Sequence, residues 1–189
     1  DEAQHAIALL ENVLSQHPNE VALLTALGNL YFHEGQLKEA LEYFRRNANL
    51  QPKDIDTQLQ AATTALLVGE IEPFEAFMHR ALEIDPDNAH GLKLLATANF
   101  KAGKYVEAAQ LYGKAMLGLP EDLEIILALG VSFHKLNDSE TAAACFQRAL
   151  EVDPNNAVAA ENLKAITGSQ PEAQQPPAAP ASNGEVRAE

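Results

Sequence analysis

The chain has 189 residues, and its 27 Asp and Glu outweigh 13 Lys and Arg to give a formal charge of −14. That balance argues against nucleic acid and anionic membrane surfaces as ligands, because affinity for both rests on Lys and Arg. Cys145 is the only cysteine, which excludes an intrachain disulfide and a cysteine zinc cluster, and no apolar run approaches the ~20 residues of a membrane helix.

Proline recurs every 34 residues, at Pro18, Pro52, Pro86, Pro120 and Pro154. Gly35, Gly69 and Gly103, followed by Asn137, keep the same beat. A fixed period of this length is the mark of a repeat architecture. The first segment, 1–20, carries Ile7, Leu9, Leu10, Val13 and Leu14 at helical spacing and reads as the second half of a row. The expectation is a chain cut from a longer protein with at least one more helix upstream. The alternative is a natural cap, although caps tend to carry a polar outer face.

Four full rows follow, at 21–54, 55–88, 89–122 and 123–156, and each reads as two amphipathic helices. In the first row Leu24, Leu27, Leu30 and Tyr31 share one face, and Gly35 stops that helix as a left-handed cap. Its second helix carries Leu37, Ala40, Leu41, Phe44 and Leu50 and stops at Pro52, since proline cannot extend a helix. The second row is irregular, and its Phe74 is expected to fill space left by Ala65. The turns Asp85-Pro86-Asp87-Asn88 and Asp153-Pro154-Asn155-Asn156 offer capping groups to the helices after them. Asp85, Asp87 and Asp153 are therefore read as N-caps rather than calcium ligands, because the EF-hand spacing is missing. Residues 157–167 read as a C-terminal capping helix. Residues 168–189, rich in Pro, Ala, Gln and Ser, read as a disordered tail or linker.

These rows resemble tetratricopeptide (TPR) repeats. The family pattern wants a small residue at row position 8, Tyr or another apolar residue at 11, Ala at 20, an aromatic at 24, Ala at 27 and Pro at 32. The row 21–54 supplies Gly28, Tyr31, Ala40, Phe44 and Pro52 and departs at Asn47. The row 89–122 supplies Ala96, Ala108, Tyr112, Ala115 and Pro120 and departs at Asn99. The row 123–156 supplies Gly130, Phe133, Ala142, Phe146, Ala149 and Pro154, whereas 55–88 keeps only Ala62, Ala81 and Pro86. The resemblance implies an all-α, right-handed α-solenoid of antiparallel helical hairpins. It also implies that ligand peptides lie on a concave wall lined by the first helix of each row.

Helix-face arithmetic puts positions 2, 5, 6, 9, 12 and 13 on that wall. The candidate groove residues are Asn29, Phe32 and His33, then Leu59 and Thr63, then Lys93, Thr97, Phe100 and Lys101, and finally Val131, His134 and Lys135. Lys93, Lys101 and Lys135 outnumber Asp56 and Glu124 there, which suits a peptide with apolar anchors and a carboxylate. The carboxylate clamp by which some relatives hold chaperone tails is not reproduced. Asn29 matches it, but Thr25, Gln60, His90 and Leu94 do not.

No Gly-rich phosphate loop, nucleophile motif or paired-histidine motif is present, so the chain reads as non-enzymatic, without metal or cofactor. Cys145 reads as a packed hydrophobe. With no secretory signal in the sequence, the expected compartment is the cytoplasm. The leading function is a scaffold that binds a peptide or helix of a protein partner in the groove. The alternatives are an accessory segment of a larger bacterial enzyme, such as a glycosyltransferase or methyltransferase, and self-association through the exposed first helix.

Overall fold

Helices stop where the chain has a residue that can turn. In a computed structural model, which describes residues 2–168, the order is α1 (Glu2–Gln16), α2 (Val21–His33), α3 (Leu37–Leu50), α4 (Ile55–Val68), α5 (Ile71–Ile84), α6 (Ala89–Lys101), α7 (Tyr105–Gly118), α8 (Leu123–Lys135), α9 (Ser139–Val152) and α10 (Ala157–Gly168). Gly168 belongs to α10, and the rest of the segment read as a tail lies outside the described residues. The turn inside each hairpin passes through a left-handed residue, Gly69 at φ 88° for example, and Asn137 takes that role at φ 62°. Asn is the residue after Gly that tolerates this conformation best.

The loops between rows close by two related devices. The Asp54 and Asp122 carboxylates accept directly from Thr57 and Ile125 N–H, each at 3.1 Å, and cap α4 and α8. Before α6 and α10 the cap is an amide: Asn88 accepts from Gly91 N–H and Asn156 from Ala159 N–H, each at 3.0 Å. This corrects the expectation for Asp85, Asp87 and Asp153. Asp85 accepts from Asp87 N–H and from the Asn88 side-chain amide, both at 3.2 Å, and so orients the group that caps. Asp153 does the same for Asn156, at 3.1 Å from Asn155 N–H and 3.3 Å from the amide.

In the hairpins α2–α3 and α8–α9 the glycine at position 8 makes room for the phenylalanine at position 24. A Cβ on Gly28 would collide with the Phe44 ring, and one on Gly130 would stand 2.8 Å from the Phe146 ring. Phe74 is buried in one cluster with Ala65, Phe77 and Met78, which fits the volume exchange read for the second row. The buried Asn47 departs from the pattern without being orphaned. Its amide donates to Thr25 Oγ1 and accepts from Gln51 Nε2, each at 2.9 Å. Leu50 is the one apolar residue of α3 that leaves the buried face, at 42% exposure.

Stacking is uneven. α4 packs closely on α3, α8 on α7 and α10 on α9, whereas α6 stands off α5. The buried Gln58 helps to fasten α4 to α3, donating to Ala48 O at 2.7 Å and Gln51 O at 3.1 Å. At the start of the solenoid α1 buries Ile7 and Leu14 against Leu24 and Leu27 of α2. Glu11 accepts from the Tyr31 hydroxyl at 2.7 Å and the Tyr43 hydroxyl at 2.9 Å, and the two rings stack at 5.4 Å. Burial, then the bond to Glu11, pushes the Tyr43 phenol up to about 12 and the Tyr31 phenol further. The opposite face of α1 leaves Leu9 54% and Val13 44% exposed.

Candidate functional site

The first helices of the rows, α2, α4, α6 and α8, place their open faces side by side, and three cavities follow one another along them. Asn29, Phe32, His33 and Thr63 line the first, of about 310 Å³, where Gln60 donates to Asn29 at 2.9 Å. Leu59, Thr63, Lys93, Thr97 and Lys101 line the second, of about 400 Å³, with Leu66, Leu67 and Leu94 adding apolar surface. Thr97, Phe100, Lys101 and Val131 line the third, of about 550 Å³, together with Leu123 and Leu127. Of the candidate residues, His134 and Lys135 line none of these three; both are exposed near the end of α8.

Two groove residues come from second helices, which the face arithmetic did not consider. Phe44 of α3 reaches the first cavity and Tyr112 of α7 the third. Phe44 lies over Gly28, and the Tyr112 hydroxyl lies 3.0 Å from Thr97 Oγ1. Burial raises the Tyr112 phenol above its ordinary value, and the Thr97 bond only partly offsets this. The signal available in the sequence was a Tyr at position 24 where two other rows have Phe.

Lys93 is not the free cation expected. Its ammonium lies 2.8 Å from Asp122 Oδ2 and 2.6 Å from Glu124 Oε2, so it bolts α6 to the start of α8. Burial alone would lower its pKa, but the bonds to Asp122 and Glu124 outweigh burial and hold it above the ordinary lysine value. Burial likewise pushes Asp122 up, and the Lys93 bond with the Ile125 N–H brings it below the ordinary carboxylate value. With Asp122 included, acids balance bases on the wall instead of trailing them. Lys101 keeps its charge unpaired among the described residues and borders both the second and third cavities.

Among the described residues no three His, Cys, Asp or Glu converge as metal ligands. Among them, too, no helix is long and apolar enough to cross a membrane. Cys145 is half-buried, and burial, then the charge of Asp138, raises its thiol away from the reactive thiolate. The groove offers apolar surface with scattered hydrogen-bonding and charged groups, which is the chemistry of recognition.

Antiparallel hairpins stacked in register around such a groove define an α-solenoid of helical repeats. The chain belongs to the tetratricopeptide repeat family, whose models match residues 1–66, 75–122 and 99–166. It is similar to the protein CTR9 homolog of Arabidopsis thaliana, 27% identical over an alignment of 148 residues that covers 72% of this chain and 14% of that protein. It is also similar to protein O-mannosyl-transferase TMTC1 of Homo sapiens, 24% identical over 155 residues, 80% of this chain and 18% of that one. The chain thus spans less than a fifth of either relative. Among solved structures MamA superposes with a TM-score of 0.72 at 20% identity, covering 82% of this chain and 85% of that one. YrrB, described as a TPR protein with an unusual peptide-binding site, gives 0.71 at 17% identity, with coverage of 86% and 84%. Likeness at these identities establishes the fold.

Proposed function

We propose that the chain binds an extended or helical segment of a partner protein along the groove formed by α2, α4, α6 and α8. The observation that carries this reading is the run of apolar surface from Leu59 to Val131, with the unpaired Lys101 between its two larger cavities. Apolar anchors seated in such cavities supply most of the binding energy, and the charge selects among sequences. Lys93 is left out of the contact set because Asp122 and Glu124 already hold it. Peptides selected from a displayed random library test the reading. Leu67→Asp and Lys101→Glu should each weaken their binding about tenfold or more. Leu117→Asp, on α7 where the residue is 87% exposed and outside all three cavities, should not. Equal losses from all three variants would remove the groove as the site.

A second reading, an accessory segment of a larger enzyme, draws support from the similarity to a transferase of which this chain spans 18%. The flanking coding sequence decides it, since the reading requires a catalytic domain there. Self-association through α1 has the exposed Leu9 and Val13 in its favour. A solution mass independent of concentration would remove it.

A further inference from the structure

Between α5 and α6 the stack forms a wedge. At its closed end Gly91 lets α6 lie against the row before it; a Cβ there would stand 3.3 Å from Leu82 Cδ2. Toward the hairpin turns the helices part, and a cavity of about 420 Å³ opens between Ile71 and Phe74 on one side and Leu95, Ala98 and Asn99 on the other. The gap coincides with a departure in the sequence. Asn99 stands at position 11, where the family has an aromatic or another apolar residue, and its amide folds back to donate to Leu95 O at 2.9 Å. At the same position of the next row Phe133 packs against the clusters on both sides of it. Apolar walls with nothing between them forfeit the dispersion contacts a filled gap would make. Ile71, at the lip, is 55% exposed.

The rim of this wedge is charged. Lys101, Lys104 and Glu75 are the charged residues that line it, and neither lysine enters an ion pair among the described residues. Unpaired ammonium groups beside an apolar cavity are complementary to an apolar side chain carried between carboxylates. Leu66 and Lys101 border both this cavity and the groove cavity between α4 and α6, so the two are neighbours across these side chains.

We propose that the wedge is a second docking site, which takes a bulky apolar side chain of an acidic partner segment. Such a segment leaves the groove between α4 and α6, bends over the rim at Leu66 and seats its anchor between Phe74 and Leu95. The proposal deepens the groove reading, which supplies the route, while the wedge itself is tested separately.

The test is a titration of the chain with two capped tripeptides, acetyl-Glu-Phe-Glu-amide and acetyl-Lys-Phe-Lys-amide, followed by amide proton and nitrogen shifts. The acidic peptide should move the Ile71, Asn99 and Lys104 amides saturably, and added salt should weaken it. The basic peptide should bind at least about tenfold more weakly. Asn99→Tyr puts an aromatic in the wedge and should abolish these shifts while raising the melting temperature. Lys104→Glu changes an exposed side chain and should weaken the acidic peptide about tenfold with melting unchanged, which keeps the test decisive if Asn99→Tyr does not fold. Absent shifts, equal binding of the two peptides, or shifts that survive Asn99→Tyr would overturn the proposal. Leu67→Asp separates the two sites, because it lies in the groove and outside the wedge. If it spares library-selected peptides, the groove reading fails while the tripeptide result stands by itself.

Discussion

The α7–α8 junction and the α5–α6 junction obey one repeat rule and end differently. At the first, Tyr112 and Ala115 share a buried cluster with Ile125 and Leu129, Phe133 packs onto it, and the Lys93 ion pairs hold the start of α8. At the second, close contact is kept at the Gly91 end and lost toward Asn99. The two junctions differ at row position 11, with Phe133 at the first and Asn99 at the second. In a stack where each row touches only its neighbours, stability is close to a sum of row and interface terms. A single side chain can therefore loosen one interface and leave the others intact, and a repeat protein gains an irregular surface without losing its fold.

Core truncation is the hardest test of that contrast. Ile125→Ala, at a fully buried residue of the closed junction, should cost about 2–5 kcal/mol, and Leu95→Ala, half-buried beside the wedge, less than about half as much. Urea unfolding measures both, and equal losses would break the comparison.

Lys93→Met gives a smaller effect with a pH signature. Asp122 has a lowered pKa in the folded state, so its contribution is present above its ordinary value of 3.8 and is lost as pH falls through the folded value. Lys93 has a raised pKa, so its contribution is full below 10.5 and is lost as pH rises through the folded value. The variant should lose roughly 1 kcal/mol at neutral pH and show flatter melting curves in both the acid and alkaline windows.

The smallest effect concerns the fastening of α1, a boundary where polar bonds to Glu11 supplement the buried cluster of Ile7, Leu14, Leu24 and Leu27. Near-ultraviolet titration should find Tyr43 ionising at about 12 and Tyr31 later still. Both phenols are raised by folding, so the stability they add is intact below their ordinary value of 10 and disappears as pH climbs through the folded values. Glu11→Gln should bring both titrations down toward 10, with little change in neutral-pH melting. Unmoved titrations would mean that Glu11 does not hold the two rings.

Much of the fold was legible because its rule is local and repeated. Gly69 and Asn137 mark turns by their own conformational tolerance, and Gly28 with Phe44 encodes a hairpin contact in residue size. The candidate wall was legible in part for the same reason, since helical periodicity assigns Leu59, Thr63, Thr97 and Val131 to one face. What stayed hidden depends on distant residues. Lys93 looked free because its partner Asp122 sits 29 positions away in a loop. Tyr112 and Phe44 were missed because they enter the groove from the other helix of the hairpin, through a gap that a small neighbour leaves. The wedge was invisible because Asn99 looked like one mismatch among several, and Asn47, another, is fully satisfied inside the protein.

The amide-capped loops carry a chemical consequence of their own. Asp85–Pro86 and Asp153–Pro154 are aspartyl-prolyl bonds, and both lie outside every described helix. In warm dilute acid the aspartate carboxyl attacks its own carbonyl and the basic proline nitrogen departs, so such bonds hydrolyse ahead of other peptide links. Limited acid scission would divide the chain at these two loops and release a middle fragment, 86–153, carrying α6 to α9 whole. The solenoid thus contains its own places to be dissected, one of them beside the wedge.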